Sequence, residues 1–313
     1  MNAAAGSIGE AHAREREAAI RDAFDQAGVT VEIHAVPGPR LADTARAAAR
    51  TRVDGVVAAG GDGTVSAVAS ALAGGDMPMA VLPLGTLNHF ARDLGMPKDL
   101  GEAARAIAAG THARVDVGEV NGRVFVNNSS IGLYPLVVRA RVAEQKATGK
   151  GKWRAMATAI WRVLRRFPLV SVLLKRDDGS SIVTRTPFVF IGNNAYQVSP
   201  LALGRRNALD DGHLCLYTMR CQRRWKLLWL ALRAIFQDAE TVEDVEVASV
   251  DELEVVLPRG RVHVAADGEV LTLSSPLRYR VRAGALPVIR PATAEELAPQ
   301  ARDRVATARE VAA

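Results

Sequence analysis

The run Val56-Val57-Ala58-Ala59-Gly60-Gly61-Asp62-Gly63-Thr64 constrains the fold more than any other stretch of the chain. An apolar strand ends in a glycine cluster that carries one acid and one hydroxyl, and an Ala/Val-rich helix is expected from Val65 to Leu72. Glycines leave no side chain between the backbone and a ligand. Their N–H groups, with a helix N-terminus just behind, suit a phosphate chain. Asp62 and Thr64 then stand at the C-terminal end of a strand, where open α/β sheets bind ligands. No Gly-Lys-Ser/Thr follows, so this is not a Walker loop.

A second cluster follows about twenty residues later: Val81-Leu82-Pro83-Leu84-Gly85-Thr86-Leu87-Asn88-His89-Phe90-Ala91-Arg92-Asp93-Leu94-Gly95. Again a short strand runs into Gly-Thr and then a helix. Either cluster alone reads equally well as a tight strand-to-helix turn, because Gly-Asp-Gly is common turn chemistry. Two such units in tandem imply neighbouring loops that face one nucleotide. Gly60, Gly61, Gly63, Thr64, Gly85 and Thr86 would form the cradle. Asn88 would donate its amide to a phosphate or fix the second loop, and Asp62 would bind Mg²⁺ or orient the acceptor.

At 313 residues the chain is long enough for two domains, and 49% hydrophobic with 24% charged residues is an ordinary globular balance. There is no apolar run of membrane-spanning length and no secretory h-region. Two cysteines, Cys215 and Cys221, do not make a disulfide framework, and a reducing cytoplasm fits. The six histidines lack metal-ligand spacing. A net charge of +6 favours an anionic partner such as ATP or an anionic bilayer. Aromatic content of 5% without a recognition motif argues against nucleic acid.

Strands and helices alternate up to about residue 114: helix 10–27, strand 29–36, helix 41–50, strand 53–59, helix 65–72, strand 79–84, helices 88–94 and 99–109. That order predicts a doubly wound α/β domain over 1–114. From Val115 the pattern turns strand-rich, starting with a hairpin at Asn121-Gly122. Further strands are expected at 169–175, 181–191, 213–219, 245–248, 252–257, 261–265, 270–273 and 277–282. A β-sandwich-type second domain over 115–284 follows, with 285–313 as a return strand and tail. Two segments, 152–167 and 222–237, carry apolar stripes beside arginines and hold all four tryptophans: Trp153, Trp161, Trp225 and Trp229. Such stripes fit core helices and lipid-facing interfacial helices alike.

Gly-Gly-Asp-Gly-Thr at 60–64 followed by Pro83-Leu84-Gly85-Thr86-Leu87-Asn88-His89-Phe90-Ala91-Arg92 resembles the diacylglycerol kinase catalytic-domain superfamily. So do Asn2-Ala3-Ala4-Ala5-Gly6, Gly192-Asn193-Asn194, Asn207 to Gly212 and Asp267-Gly268-Glu269. The resemblance implies a nucleotide-binding domain, a β-rich lipid domain, and a C-terminus that returns to the first domain. It implies ATP and Mg²⁺ as cofactors, with Asp62 among the nucleotide and magnesium residues and Glu269 as the general base for a lipid hydroxyl. It also implies a structural Mg²⁺ held by Asp211 with the main-chain carbonyls of Ala208 and His213, all hard oxygen ligands. The implied partners are a lipid substrate and the anionic inner membrane surface, approached peripherally from the cytoplasm, with a homodimer as an option. The implied role is in phospholipid synthesis.

Three departures from the family pattern stand out. A strand is usual before the first Asn-x-x-x-Gly turn, and here Met1 directly precedes it, so that strand is absent or lies upstream. His89 stands where the family has Asp. The glycine triplet before the Asp-Asp-Gly segment is reduced to Gly204, followed by Arg205 and Arg206. A lipid kinase is therefore the favoured function. The alternatives are a small-molecule kinase of the NAD kinase type, which shares the Gly-Gly-Asp-Gly turn, and a degenerate nucleotide- or membrane-binding member.

Overall fold

The computed structural model describes residues 1, 10–132, 170–176, 179–199, 202–206, 208–219 and 245–292. Helix α1 (Glu10–Gln26) is followed by α2 (Leu41–Ala48), β1 (Val56–Gly60), α3 (Asp62–Leu72), β2 (Met79–Pro83), α4 (His89–Asp93) and α5 (Leu100–Ala108). Strands β1 and β2 pair in parallel, with Val56 opposite Met79 and Gly60 opposite Pro83. Helix α3 packs on both of them and against α2, while α1 packs on α5. Asp99 caps α5 by accepting the Glu102 N–H at 2.9 Å, as a residue at that position should.

The rest is strands. Strands β3 (Thr111–Val120), β4 (Arg123–Phe125) and β5 (Asn128–Gly132) come first, then β6 (Val170–Arg176), β7 (Ser181–Thr186) and β8 (Phe188–Asn193). Next are β9 (Tyr196–Ser199), β10 (Ala202–Arg206), β11 (Leu214–Met219) and β12 (Val245–Val250). The last four are β13 (Glu252–Val256), β14 (Arg261–Ala266), β15 (Glu269–Ser274) and β16 (Leu277–Arg290). One sheet orders its strands β12-β11-β8-β5-β14-β15. A second runs β1-β2-β16-β13-β6-β7, with β3 also on β16 and β4 on β3, and β9 and β10 pair as a separate two-stranded ribbon.

This second sheet joins the two halves of the molecule. The far end of β16 lies parallel to β2, with Val288 opposite Met79, while its first residues pair antiparallel with β13. The protein is thus an α/β domain followed by a β-rich domain, with the chain returning to the first. Two hydrophobic cores follow from this plan. One packs Phe24, Val65, Leu82, Phe90 and Ile107 around β1, β2 and the end of β16. The other packs Phe125, Leu174, Val255 and Tyr279 of the long sheet against Ile131, Ile191, Leu216 and Val264 of the six-stranded one. That is a sandwich interior.

The structure differs from the sequence expectations in several places. Residues 29–35 form no strand. Val36 donates its N–H to the Met1 carbonyl at 3.0 Å, and Met1 donates to the His34 carbonyl at 2.8 Å. Alternating apolar residues make a strand only when a neighbour supplies a ladder. The expected strand 181–191 is two strands, interrupted at Pro187, which cannot donate to a ladder. Strands β5, β9 and β10 fall outside the sequence expectations, because at five, four and five residues they are too short for a period to stand out. The segments 152–167 and 222–237, with the four tryptophans, lie outside the described residues, as does the tail from 293 onward.

Candidate active site

Helix α3 starts earlier than the sequence suggests, so Asp62, Gly63 and Thr64 form its first turn. Its N-cap is Gly61, with extended backbone and no side-chain cap hydrogen bond. The first N–H groups of a helix have no intrahelical acceptor. Left uncapped, they are a ready anion site. Thr64 is buried and its side chain closes over Gly60, where a β-carbon on the glycine would collide with the threonine hydroxyl.

The second loop meets the first through glycine backbones. A β-carbon on Gly61 would lie 3.2 Å from the Gly85 α-carbon, and one on Gly85 would strike the Gly61 α-carbon. Only hydrogen at Gly85 permits this approach, and Gly61 leaves little room for more. Asn88 sits in the left-handed region at φ 49° and spends its amide on its own loop. Its Nδ2 donates to the Gly85 carbonyl at 2.8 Å, and its Oδ1 accepts the Gly85 N–H at 3.0 Å. Of the two roles expected for Asn88, the geometry favours fixing the loop. Thr86 is exposed at its tip.

Asp62 and His89 complete the junction. The His89 N–H donates to Asp62 Oδ1 at 2.7 Å, so a carboxylate at the start of α3 meets the first residue of α4. The His89 ring lies 3.3 Å from an Arg92 nitrogen through Nδ1. Arg92 has only donors, so Nδ1 is the acceptor in this contact. Gly85→Ala should force the two loops apart. An anion seated on the N–H groups between them, tested as tripolyphosphate by calorimetry, should then bind at least about tenfold more weakly, since sub-ångström preorganisation of the donors is lost.

Glu269 is the first residue of β15, exposed, immediately after a turn whose two residues both have positive φ, Asp267 at 46° and Gly268 at 84°. These are the dihedral signs of a type I′ hairpin turn. The Asp267 carboxylate accepts three backbone N–H groups, from Val126 at 2.8 Å, Asn127 at 2.8 Å and Asn128 at 3.2 Å. The Ser66 hydroxyl of α3 is near enough to act on it in the same direction as these donors. Burial pushes this carboxyl above the ordinary carboxylate range, and the four donors oppose that shift. Ser66 lies one helical turn beyond Asp62. Asp267 therefore fastens the hairpin tip to the 126–128 segment, close to the helix that begins in the glycine loop, and Glu269 is two residues from that anchor.

The loop 208–213 lies elsewhere. Asp211 is exposed, Ala208 is half-buried, and the His213 carbonyl already accepts the Asn194 N–H at 3.1 Å. A carboxylate and two carbonyls are hard oxygen donors that fit Mg²⁺. Among the described residues no three His, Cys, Asp or Glu side chains converge on a point, so carbonyls would have to supply part of any such site. Buried Asp116 supports this loop, its Oδ2 accepting the Gly212 N–H at 2.7 Å and its Oδ1 the Gly284 N–H of β16 at 2.8 Å.

The His213 ring is exposed and hydrogen-bonds Asp251, which raises its pKa above the ordinary histidine value. A raised folded-state value means the stabilising contribution is whole below about pH 6.5 and is lost as pH rises through the folded value. We expect the His213 ring to titrate above the ordinary value by NMR, and Asp251→Asn to bring it back down.

Sequence reasoning passed over Arg206, Asp93, Asp116 and the anchoring role of Asp267. Arg206 offered one signal, a charged residue where glycine is usual.

The model of the diacylglycerol kinase catalytic domain matches residues 1–120. A Pseudomonas aeruginosa protein named "Probable lipid kinase YegS-like" is 32% identical over 289 residues, 91% of each chain. The chain belongs to the diacylglycerol kinase family. Diacylglycerol kinase of Bacillus subtilis is 39% identical over 114 residues, which are 35% of this chain and 38% of that one. Thus the chain is matched along little more than a third of that relative. A solved diacylglycerol kinase structure from Bacillus anthracis, 20% identical, superposes with a TM-score of 0.65 over 92% of this chain and 94% of that one. At that identity the likeness concerns the fold. No described helix of this family member is long and apolar enough to cross a membrane.

Proposed function

We propose that the protein transfers the γ-phosphoryl group of ATP to the hydroxyl of a membrane lipid such as diacylglycerol. The observation that carries this reading is the Asp267 anchor, which ties the Asp-Gly-Glu hairpin to the 126–128 segment beside α3. The N–H groups of Gly61 and Gly63, at the uncapped start of α3 just beyond Gly60 at the end of β1, meet the phosphates of ATP. The Gly85 loop closes on them from the other side, held in shape by Asn88.

Glu269 takes the proton of the lipid hydroxyl as the oxygen bonds to the γ-phosphorus and the bond to the bridging oxygen of ADP breaks. An alcohol is far less acidic than a carboxylic acid, so Glu269 acts only as the proton loosens in the transition state, and its placement matters more than its basicity. Asp62 is the residue in reach of the phosphates that would hold Mg²⁺, whose charge would offset that of the transferring group. Thr86, exposed on the second loop, is a further phosphate contact.

The net charge of +6 suits an anionic bilayer, where the acceptor resides. The test is transfer of label from γ-labelled ATP to a panel of lipid alcohols in vesicles, with Mg²⁺. Label on diacylglycerol or another lipid of the panel supports the reading. Label on NAD and on no lipid would sink it.

A further inference from the structure

We propose that Arg206 is a positioning residue that sets helix α4 of the nucleotide loop against the hairpin bearing Glu269. The inference rests on Glu269 as the general base. The Arg206 side chain has no solvent exposure, and the Asp93 carboxylate beside it has 2%. Its Nε donates to Asp93 Oδ2 at 2.8 Å. Its Nη1 donates to the carbonyls of Val126 at 2.6 Å and Asn193 at 3.2 Å, and its Nη2 to Asn127 Oδ1 at 3.1 Å. The guanidinium also lies near two rings, 5.8 Å from the centre of Phe90 and 5.6 Å from that of Tyr196. Phe90 and Asp93 belong to α4, which starts at the residue whose N–H binds Asp62. One planar group therefore fixes α4, the end of β8 and the β4–β5 junction together.

The junction carries that placement to Glu269. Every backbone polar group of residues 126–128 has a partner. The three N–H groups go to the Asp267 carboxylate. The Val126 carbonyl accepts Arg206 and the Asn193 amide. The Asn127 carbonyl accepts the Asn193 N–H and the Tyr196 hydroxyl, and the Asn128 carbonyl accepts the Asp267 N–H. Peptide planes transmit orientation, because an N–H and the preceding carbonyl share a rigid plane. Arg206 pulls on the carbonyl side of this segment and Asp267 on its N–H side.

A buried ion pair is a poor source of net stability, since desolvation offsets its attraction. What it supplies is one geometry. Lysine would keep the charge but lose the fork that reaches four acceptors at once.

The experiment uses the full chain. Hydrogen exchange by mass spectrometry comes first, on Arg206→Lys, with Asp93→Asn as the second variant should the first fail to fold. We expect faster exchange at 125–130 and 265–271, with 56–72 as in wild type. Kinetics follow. Lipid phosphorylation by either variant should lose at least about tenfold in kcat, with the KM for ATP changed less than about twofold, because a displaced base costs the transition state and not ground-state binding. In the Glu269→Gln background the same change should cost less than about twofold more, since residues that act as a unit are not additive.

Unchanged exchange at 265–271 overturns the proposal. A loss of equal size with and without Glu269 overturns it too, because Arg206 would then act elsewhere. If wild type phosphorylates no lipid while exchange still rises at 265–271, the kinase reading falls, the catalytic part of the inference falls with it, and the tie between α4 and the hairpin stands.

Discussion

Glu269→Gln should leave a folded protein that binds ATP as well as wild type and turns over at least about a hundredfold more slowly, the low end for loss of a general base. The substitution removes a proton acceptor at almost constant shape. Glu269 is exposed at the first position of β15, so no buried contact is broken and stability should stay within about 0.5 kcal/mol, as for surface changes generally. The check is steady-state lipid phosphorylation beside nucleotide binding by calorimetry. Near-normal kcat would remove Glu269 from the mechanism. Weakened ATP binding with unchanged kcat would place it in the nucleotide site instead.

Asp267→Ala should produce the largest loss of stability. The carboxylate is the acceptor for the N–H groups of Val126, Asn127 and Asn128. Each buried N–H left without a partner costs about 1–3 kcal/mol, and neighbouring losses do not add in full. We expect about 3–5 kcal/mol in denaturant unfolding, the range for breaking a buried charged network. Alanine also disfavours the φ of 46° at this position. Asp267→Asn separates the two effects. Asparagine tolerates positive φ, yet it replaces one acceptor oxygen by a donor that faces other donors. It should therefore fall between wild type and alanine. If Asp267→Ala unfolds at the same denaturant concentration as wild type, the hairpin is held by something other than this carboxylate.

Both predictions turn on a hairpin that was only partly legible before the structure. Asp267-Gly268 reads as a turn because Asp and Gly accept positive φ, and the turn is there. Nothing in the triplet reveals that the Asp carboxylate points back to a peptide segment about 140 residues earlier. The same holds for Asn88. Its neighbourhood announces a loop, but whether its amide serves the loop or a ligand depends on the φ of 49° that brings it back to Gly85. The expected strand at 29–36 failed for a related reason, since strand formation is decided by the neighbour and not by the strand's own residues.

What the amino-acid sequence determined by itself is local and periodic. Apolar runs that end in glycine put strand-to-helix loops at 60–64 and 85–88, and Asn121-Gly122 forced a hairpin. The strand-rich second half required a sandwich, because sheets must bury one face. The tertiary structure alone decided which distant groups meet: Gly61 against Gly85, Ser66 and residues 126–128 on Asp267, and Arg206 on Asp93, 113 positions away. Periodicity records which face of an element is buried. Partner choice depends on how sheets are ordered and where β16 crosses from one core to the other, and that ordering is a property of the whole chain, settled when buried polar groups of distant segments must pair.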